Sequence, residues 1–228
     1  NWEAEKTRVY ETYGIKPCLM RHIRGPVTLA CSIMGTEDFL FLVMDEPDLA
    51  KRFSEAIILV TLKMARVMDE EHGTTAEETQ GFSFADDNCC LLTPAMYELF
   101  GYPVLKQVFA VYSPDEPDKR YQHSDSPMGH LLPILGRLHL NGVNFGPTVL
   151  VPEIRRHLPK ARIDGCLSPM SFMRNDRDAI LQEIRRDCRD ALYYNGVNIA
   201  TAGSINNGSS LDSLRFIMQI IQNEGRRA

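Results

Sequence analysis

The chain has 228 residues, with 25 Lys and Arg against 30 Asp and Glu for a formal charge of −5, and 44% of it is hydrophobic, the balance of a folded globular protein. Its longest apolar runs, Phe39 to Met44 and Ala56 to Val60, fall far short of the roughly 18 residues that a spanning helix needs. No Lys/Arg run exceeds two residues, so the chain lacks the footprint that a phosphate backbone selects, and neither membrane nor nucleic acid is an expected partner.

Taken in chain order, the sequence alternates short β-type runs with helical patterns across polar or Gly/Pro junctions. The first unit predicts a strand over Lys16 to Ile23 and a long helical region from Glu37 to about Glu71, interrupted at Pro47. In it, Leu59, Val60, Met64 and Met68 read as helix core. The second pairs Gly81 to Phe84 with a helix capped by Thr93 and opened by Pro94, whose missing N–H costs nothing at the first helical position. The third pairs Arg120 to His123 with Met128 to Leu140, and the fourth pairs Val143 to Phe145 with Val151 to Leu158. The fifth pairs Arg162 to Cys166 with Asp176 to Tyr194, and the sixth pairs Asn198 to Ala202 with Ser210 to Glu224.

Strands that alternate with helices imply a parallel sheet, because a parallel connection needs a crossover. Six units of the eight in a (β/α)8 TIM barrel predict one domain over residues 1–228 that lacks about two N-terminal units, roughly the C-terminal two-thirds of a barrel. An open doubly wound sheet is the alternative, although no GxGxxG or GxxxxGKT loop supports it. Asn1 in place of an initiator Met fits a start that was processed, cut off or left out. The open edge of a partial barrel predicts pairing with a second copy, a homodimer. Six cysteines without CxxC spacing predict a reducing, cytoplasmic setting.

In such folds chemistry gathers at the C-terminal ends of the strands. The residues expected there are Arg21, His22 and Arg24, then Asp86, Asp87 and Asn88, then His123 and Asp125, then Asp164 and Cys166, then Ser204 and Asn206. His123 and Asp125 stand two apart and would share a face of a strand, as an acid–base couple or two zinc ligands require. They read equally well as strand-end groups bonded to nearby loops. Asp86 and Asp87 suit general acid–base work or a cation, or are solvated loop acids. Cys166 is a thiolate ligand or a small buried side chain. Gly203 and Gly208 bracket a polar turn whose N–H groups suit an anion, or which is simply a turn.

The runs Gly25-Pro-Val-Thr-Leu-Ala30, Asp45-Glu-Pro-Asp-Leu49, Leu92-Thr-Pro-Ala-Met-Tyr97, Gly165-Cys-Leu-Ser-Pro169 and Ala202-Gly-Ser-Ile205 occur in that order over roughly residues 15–225. They resemble the GPWTLA, DPEL, LSPEMY, GNLDP and LGHGI segments of the uroporphyrinogen decarboxylase superfamily. The resemblance implies a (β/α)8 barrel with its first strands upstream, and one of two chemistries. One branch moves methyl groups between corrinoid proteins and thiols or methoxy compounds, with zinc on a His-x-Cys pair and a later Cys. His123-Ser-Asp125 is similar to that pair, with Asp125 in the Cys position and Ser204 near the later Cys. The other branch decarboxylates uroporphyrinogen without a cofactor, using upstream Asp and Arg residues and, near Ser204, a His.

The expectation is a corrinoid-linked, zinc-dependent methyltransferase or demethylase of small methylated substrates, served by a corrinoid protein as partner. Its metal set is His123, Asp125 and Cys166, with Asp86 as a substitute third ligand. The alternative is a porphyrinogen decarboxylase with Asp86, Asp87 and His123 as proton donors and Arg21, Arg24 and Arg162 as a basic mouth. A non-catalytic tetrapyrrole or metabolite binder is the third. Arg21, His22, Arg24, Asn88, Ser204 and Asn206 would contact substrate in either enzyme.

Overall fold

The computed structural model describes residues 1–17, 19–115 and 119–224. Six strands, β1 (His22–Arg24), β2 (Phe82–Ala85), β3 (Arg120–Ser124), β4 (Gly142–Phe145), β5 (Arg162–Asp164) and β6 (Val197–Asn198), pair in sequence order, all parallel. Sequential parallel pairing through helical crossovers is the topology of a (β/α) barrel, and the sheet forms six consecutive units of one.

Ten α-helices surround the strands among the described residues. They are α1 (Trp2–Tyr13), α2 (Pro26–Met34), α3 (Thr36–Asp45), α4 (Pro47–His72), α5 (Pro94–Tyr112), α6 (Leu132–Gly136), α7 (Val151–His157), α8 (Pro169–Met173), α9 (Arg177–Tyr193) and α10 (Leu211–Glu224). Proline begins α2, α4, α5 and α8 at a position that needs no donor. Thr93 caps α5, its Oγ1 accepting from Met96 N at 3.3 Å. We expect Thr93→Ala to cost about 1 kcal/mol in urea unfolding, the usual worth of such a cap, and an unchanged midpoint would show that α5 is held by packing alone. No single described helix is long and apolar enough to cross a membrane; α2 and α3 pass that test only as a pair bent by 112°.

Pro26–Met34 and Trp2–Tyr13, to which the sequence pattern assigns no element, form α2 and α1. β1 is shorter than expected because pairing begins only where β2 offers a partner, with His22 opposite Ser83. Leu59, Val60 and Met64, expected in the core, are 66%, 49% and 44% exposed. The buried stripe of α4 runs instead through Ala50, Ser54, Ile57, Ile58, Thr61, Ala65 and Asp69, at helical spacing.

Strand alternation divides the sheet into two faces. Ile23, Phe84, Gln122, Val143 and Ile163 share one register and are buried toward the helices. Behind them lie aromatic contacts, Phe39 to Phe100 at 4.7 Å and Phe84 to Phe109 at 5.6 Å between ring centres. A second apolar cluster of Leu167, Phe172, Ile180, Ile184, Ile217 and Ile220 joins α8, α9 and α10. The opposite face is polar. It carries His22, Ser83, Tyr121 and Arg162 in one row, and Arg24, Ala85, His123 and Asn144 in the next.

Candidate metal centre

Three strand-end side chains converge at the C-terminal end of the sheet. Donor atoms of Asp87, His123 and Asp125 all lie within 4.8 Å of one another. Asp87 follows β2 on a short 3₁₀ turn (Asp87–Leu91), His123 points from β3 to the polar face, and Asp125 lies just past β3 on the same side. The turn is fixed locally: Asp87 Oδ1 accepts from Asp125 N at 3.0 Å, and Ser126 Oγ donates to the Asp87 carbonyl. His123 Nε2 is 3.5 Å from Asp87 Oδ1, while its Nδ1 is 2.7 Å from Asn144 Oδ1.

The electrostatics favour a cation here. The Asp125 carboxyl is raised above its ordinary value by burial and then by the like charge of Asp87, partly offset by His123. A positive ion between the carboxylates would remove that repulsion. Zinc ligands at about 2.0–2.1 Å in a tetrahedral array stand about 3.3 Å apart, close to the 3.5 Å between His123 Nε2 and Asp87 Oδ1. One imidazole and two carboxylates are a chemically competent set for zinc and for other first-row divalent ions.

The structure puts Asp87, and not Cys166, beside His123 and Asp125. Cys166 is fully buried, its thiol directed at the Val149 carbonyl at 3.5 Å, and burial followed by the charge of Asp187 pushes it up to about 12. A thiol so hard to ionise makes a poor ligand. Asp86 also faces away from the cluster. Its Oδ1 accepts from Thr28 N at 2.8 Å, capping the start of α2, and burial pushes its carboxyl up to about 6. Gly25 must be glycine for this approach, because a Cβ there would sit 2.2 Å from that of Asp86.

The expected substrate contacts are dispersed. Arg21 lies at the N-terminal end of the sheet, its guanidinium on Asp69 at 2.5 Å and on backbone carbonyls of the segment before β2, with Tyr112 beneath it. His22 pairs with Ser83 Oγ at 2.8 Å. Both line a cavity of about 830 Å³ at that end, away from Asp87 and His123. Arg24 is on the polar face two residues further along β1, bonded to Ser32 Oγ at 2.7 Å. Asn88 uses its backbone N–H on Thr28 Oγ1 at 3.0 Å, and Ser204 and Asn206 are exposed on the turn after β6.

Sequence reasoning did not single out Asn144, Tyr121 or Asn198. Tyr121 OH donates to Asp164 Oδ2 at 3.2 Å, and Asn198 Nδ2 to Asp164 Oδ1 at 2.6 Å. Burial pushes the Asp164 carboxyl up, but hydrogen bonds from Arg162 and Asn198 outweigh it and hold the group low. The one available signal was a lone polar residue in the apolar run Val143-Asn144-Phe145.

A parallel barrel-type sheet with a carboxylate–imidazole cluster at its C-terminal mouth defines a class of α/β barrel proteins that work at strand ends. The family model for uroporphyrinogen decarboxylase (URO-D) matches residues 11–223, and the chain belongs to that family. Among solved structures, a methyltransferase from Methanosarcina mazei is similar at 14% identity with a TM-score of 0.63, over 95% of this chain and 61% of that one. The chain thus spans less than two-thirds of that protein's length. No curated protein matches the sequence.

Proposed function

We propose that the chain serves methyl transfer within the URO-D family, with Asp87, His123 and Asp125 holding a divalent metal, zinc being the best fit. The observation that carries the reading is the convergence of three donor atoms within 4.8 Å at the strand ends. A methyltransferase among the structural neighbours supports the same reading. A corrinoid protein would be the methyl carrier and a small methylated compound or thiol the other substrate.

When bound, zinc supplies Lewis-acid chemistry that favours a thiolate at neutral pH. The chain's own residues do the rest. Asp87 and Asp125 supply negative charge and His123 supplies a neutral donor, and Arg24 and Ala85 share the strand row of His123 on the polar face.

The test is methyl transfer from methylcobalamin to a small thiol. The thiol gives up its proton to solvent, its sulfur takes the methyl group as a cation equivalent, and the C–S bond forms as the Co–C bond breaks with cobalt keeping the electron pair as Co(I). We expect zinc-loaded protein to deplete methylcobalamin absorbance, chelator-stripped protein to be inert, and added zinc to restore the rate. Protein that retains no metal and transfers no methyl group overturns the reading. Release of carbon dioxide from uroporphyrinogen by the stripped protein would replace it with decarboxylation, and tight tetrapyrrole binding without product would replace it with a binding role.

A further inference from the structure

We infer that Asn144 is a positioning residue that sets the tautomer of His123, so that Nε2 presents its lone pair to Asp87 and Asp125. The value of that lone pair as a metal ligand rests on the function proposed above, but the tautomer itself does not.

Asn144 is 8% exposed on β4, and its carboxamide makes four hydrogen bonds. Nδ2 donates to the carbonyls of Asp164 and, at 3.2 Å, of Thr201. Oδ1 accepts from Gly203 N at 3.2 Å and meets His123 Nδ1 at 2.7 Å. Carbonyl oxygens only accept, so the end of the carboxamide facing Asp164 and Thr201 must be the nitrogen. The end facing His123 is then the oxygen, which also only accepts, and the hydrogen must sit on Nδ1. A histidine in water prefers the opposite tautomer, with hydrogen on Nε2. In the neutral ring the protein imposes the form that frees Nε2, which lies 3.5 Å from Asp87 Oδ1.

The same carboxamide ties His123 to Asp125. Gly203, whose N–H it accepts, has φ of +92°, and a Cβ there would come within 2.7 Å of Asp125 Oδ2. The turn after β6 therefore rests against one carboxylate while Asn144 holds that turn to the imidazole. One buried side chain links β3, β4, β5 and the turn around the cluster. Outer partners of ligating histidines that orient the ring in this way commonly contribute about 10–100-fold in metal affinity.

The test is the ¹⁵N spectrum of histidine-labelled, metal-free protein at pH 8, with zinc affinity measured in parallel. Wild type is expected to carry hydrogen on Nδ1 of His123. Asn144→Ala, with its fold checked by circular dichroism, is expected to shift to the Nε2–H form and bind zinc about 10–100-fold more weakly. The wild-type spectrum decides the matter if the alanine protein does not fold, since an Nδ1–H form needs an acceptor at Nδ1 and Asn144 Oδ1 is the one 2.7 Å away. An Nε2–H tautomer in wild type, or an Nδ1–H tautomer persisting in folded Asn144→Ala, overturns the inference. A tautomer that shifts as described in a protein that binds no zinc sustains the role of Asn144 and removes the metal reading instead.

Discussion

Asp87→Ala and His123→Ala are expected to lose bound zinc on dialysis, whereas Cys166→Ala keeps the wild-type complement. Losing an outer partner of a ligand costs about 10–100-fold in affinity, and removing one of only three protein donors goes beyond that. Asp87 and His123 have donor atoms in the cluster, while the Cys166 thiol is buried, turned to Val149 O and pushed up to about 12. Metal analysis of the three variants decides between the ligand set the fold assembles and the one first expected. Zinc retained by Asp87→Ala but lost from Cys166→Ala would reverse the assignment.

The second large effect concerns stability and pH. Asp86 is fully buried, with Oδ1 on Thr28 N and Oδ2 without a hydrogen-bond partner among the described residues. Burial raises its carboxyl from 3.8 to about 6, outweighing the hydrogen bonds from the start of α2 that favour the charged form. A group raised on folding contributes stability below its unfolded value and loses it as pH rises through its folded value. Metal-stripped protein should therefore be stabilised by this group at pH 4 and lose about 2 kcal/mol of that by pH 7. Asp125 and Asp187 are shifted in the same direction, so the whole-protein curve mixes several groups. Asp86→Asn isolates one of them. Its neutral amide still offers an oxygen to Thr28 N, and we expect the variant to gain stability over wild type steadily from pH 4 to pH 7. Parallel urea midpoints across that range would show that Asp86 is already charged and at ease in the fold.

The candidate site was legible in part. His123 and Asp125 follow from strand alternation, since two residues apart on one strand means one face. The order of the two adjacent acids was not legible. Whether Asp86 or Asp87 turns to the mouth depends on where β2 ends, and the ladder stops at Ala85, so that Asp86 turns toward α2 and Asp87 toward His123. A strand drawn over Arg162 to Cys166 puts Cys166 at the mouth as its last residue, but β5 ends at Asp164 and the chain turns the thiol inward. Arg21 was assigned to the mouth from a strand drawn too early. Pairing that begins at His22 puts Arg21 at the other end.

The sequence by itself determined the alternation of strand and helix, the proline-led helix starts and the family, because these depend on local periodicity, backbone chemistry and ordered motifs. It also marked the strand ends that carry polar groups. Only the tertiary structure decided which of those groups meet. Asn144 and Gly203 come together from 59 positions apart, and Asp87 meets His123 across two strands. The physical reason is that strand register and the first residue beyond each ladder, set by pairing with a neighbour distant in sequence, choose the direction of every side chain at the mouth.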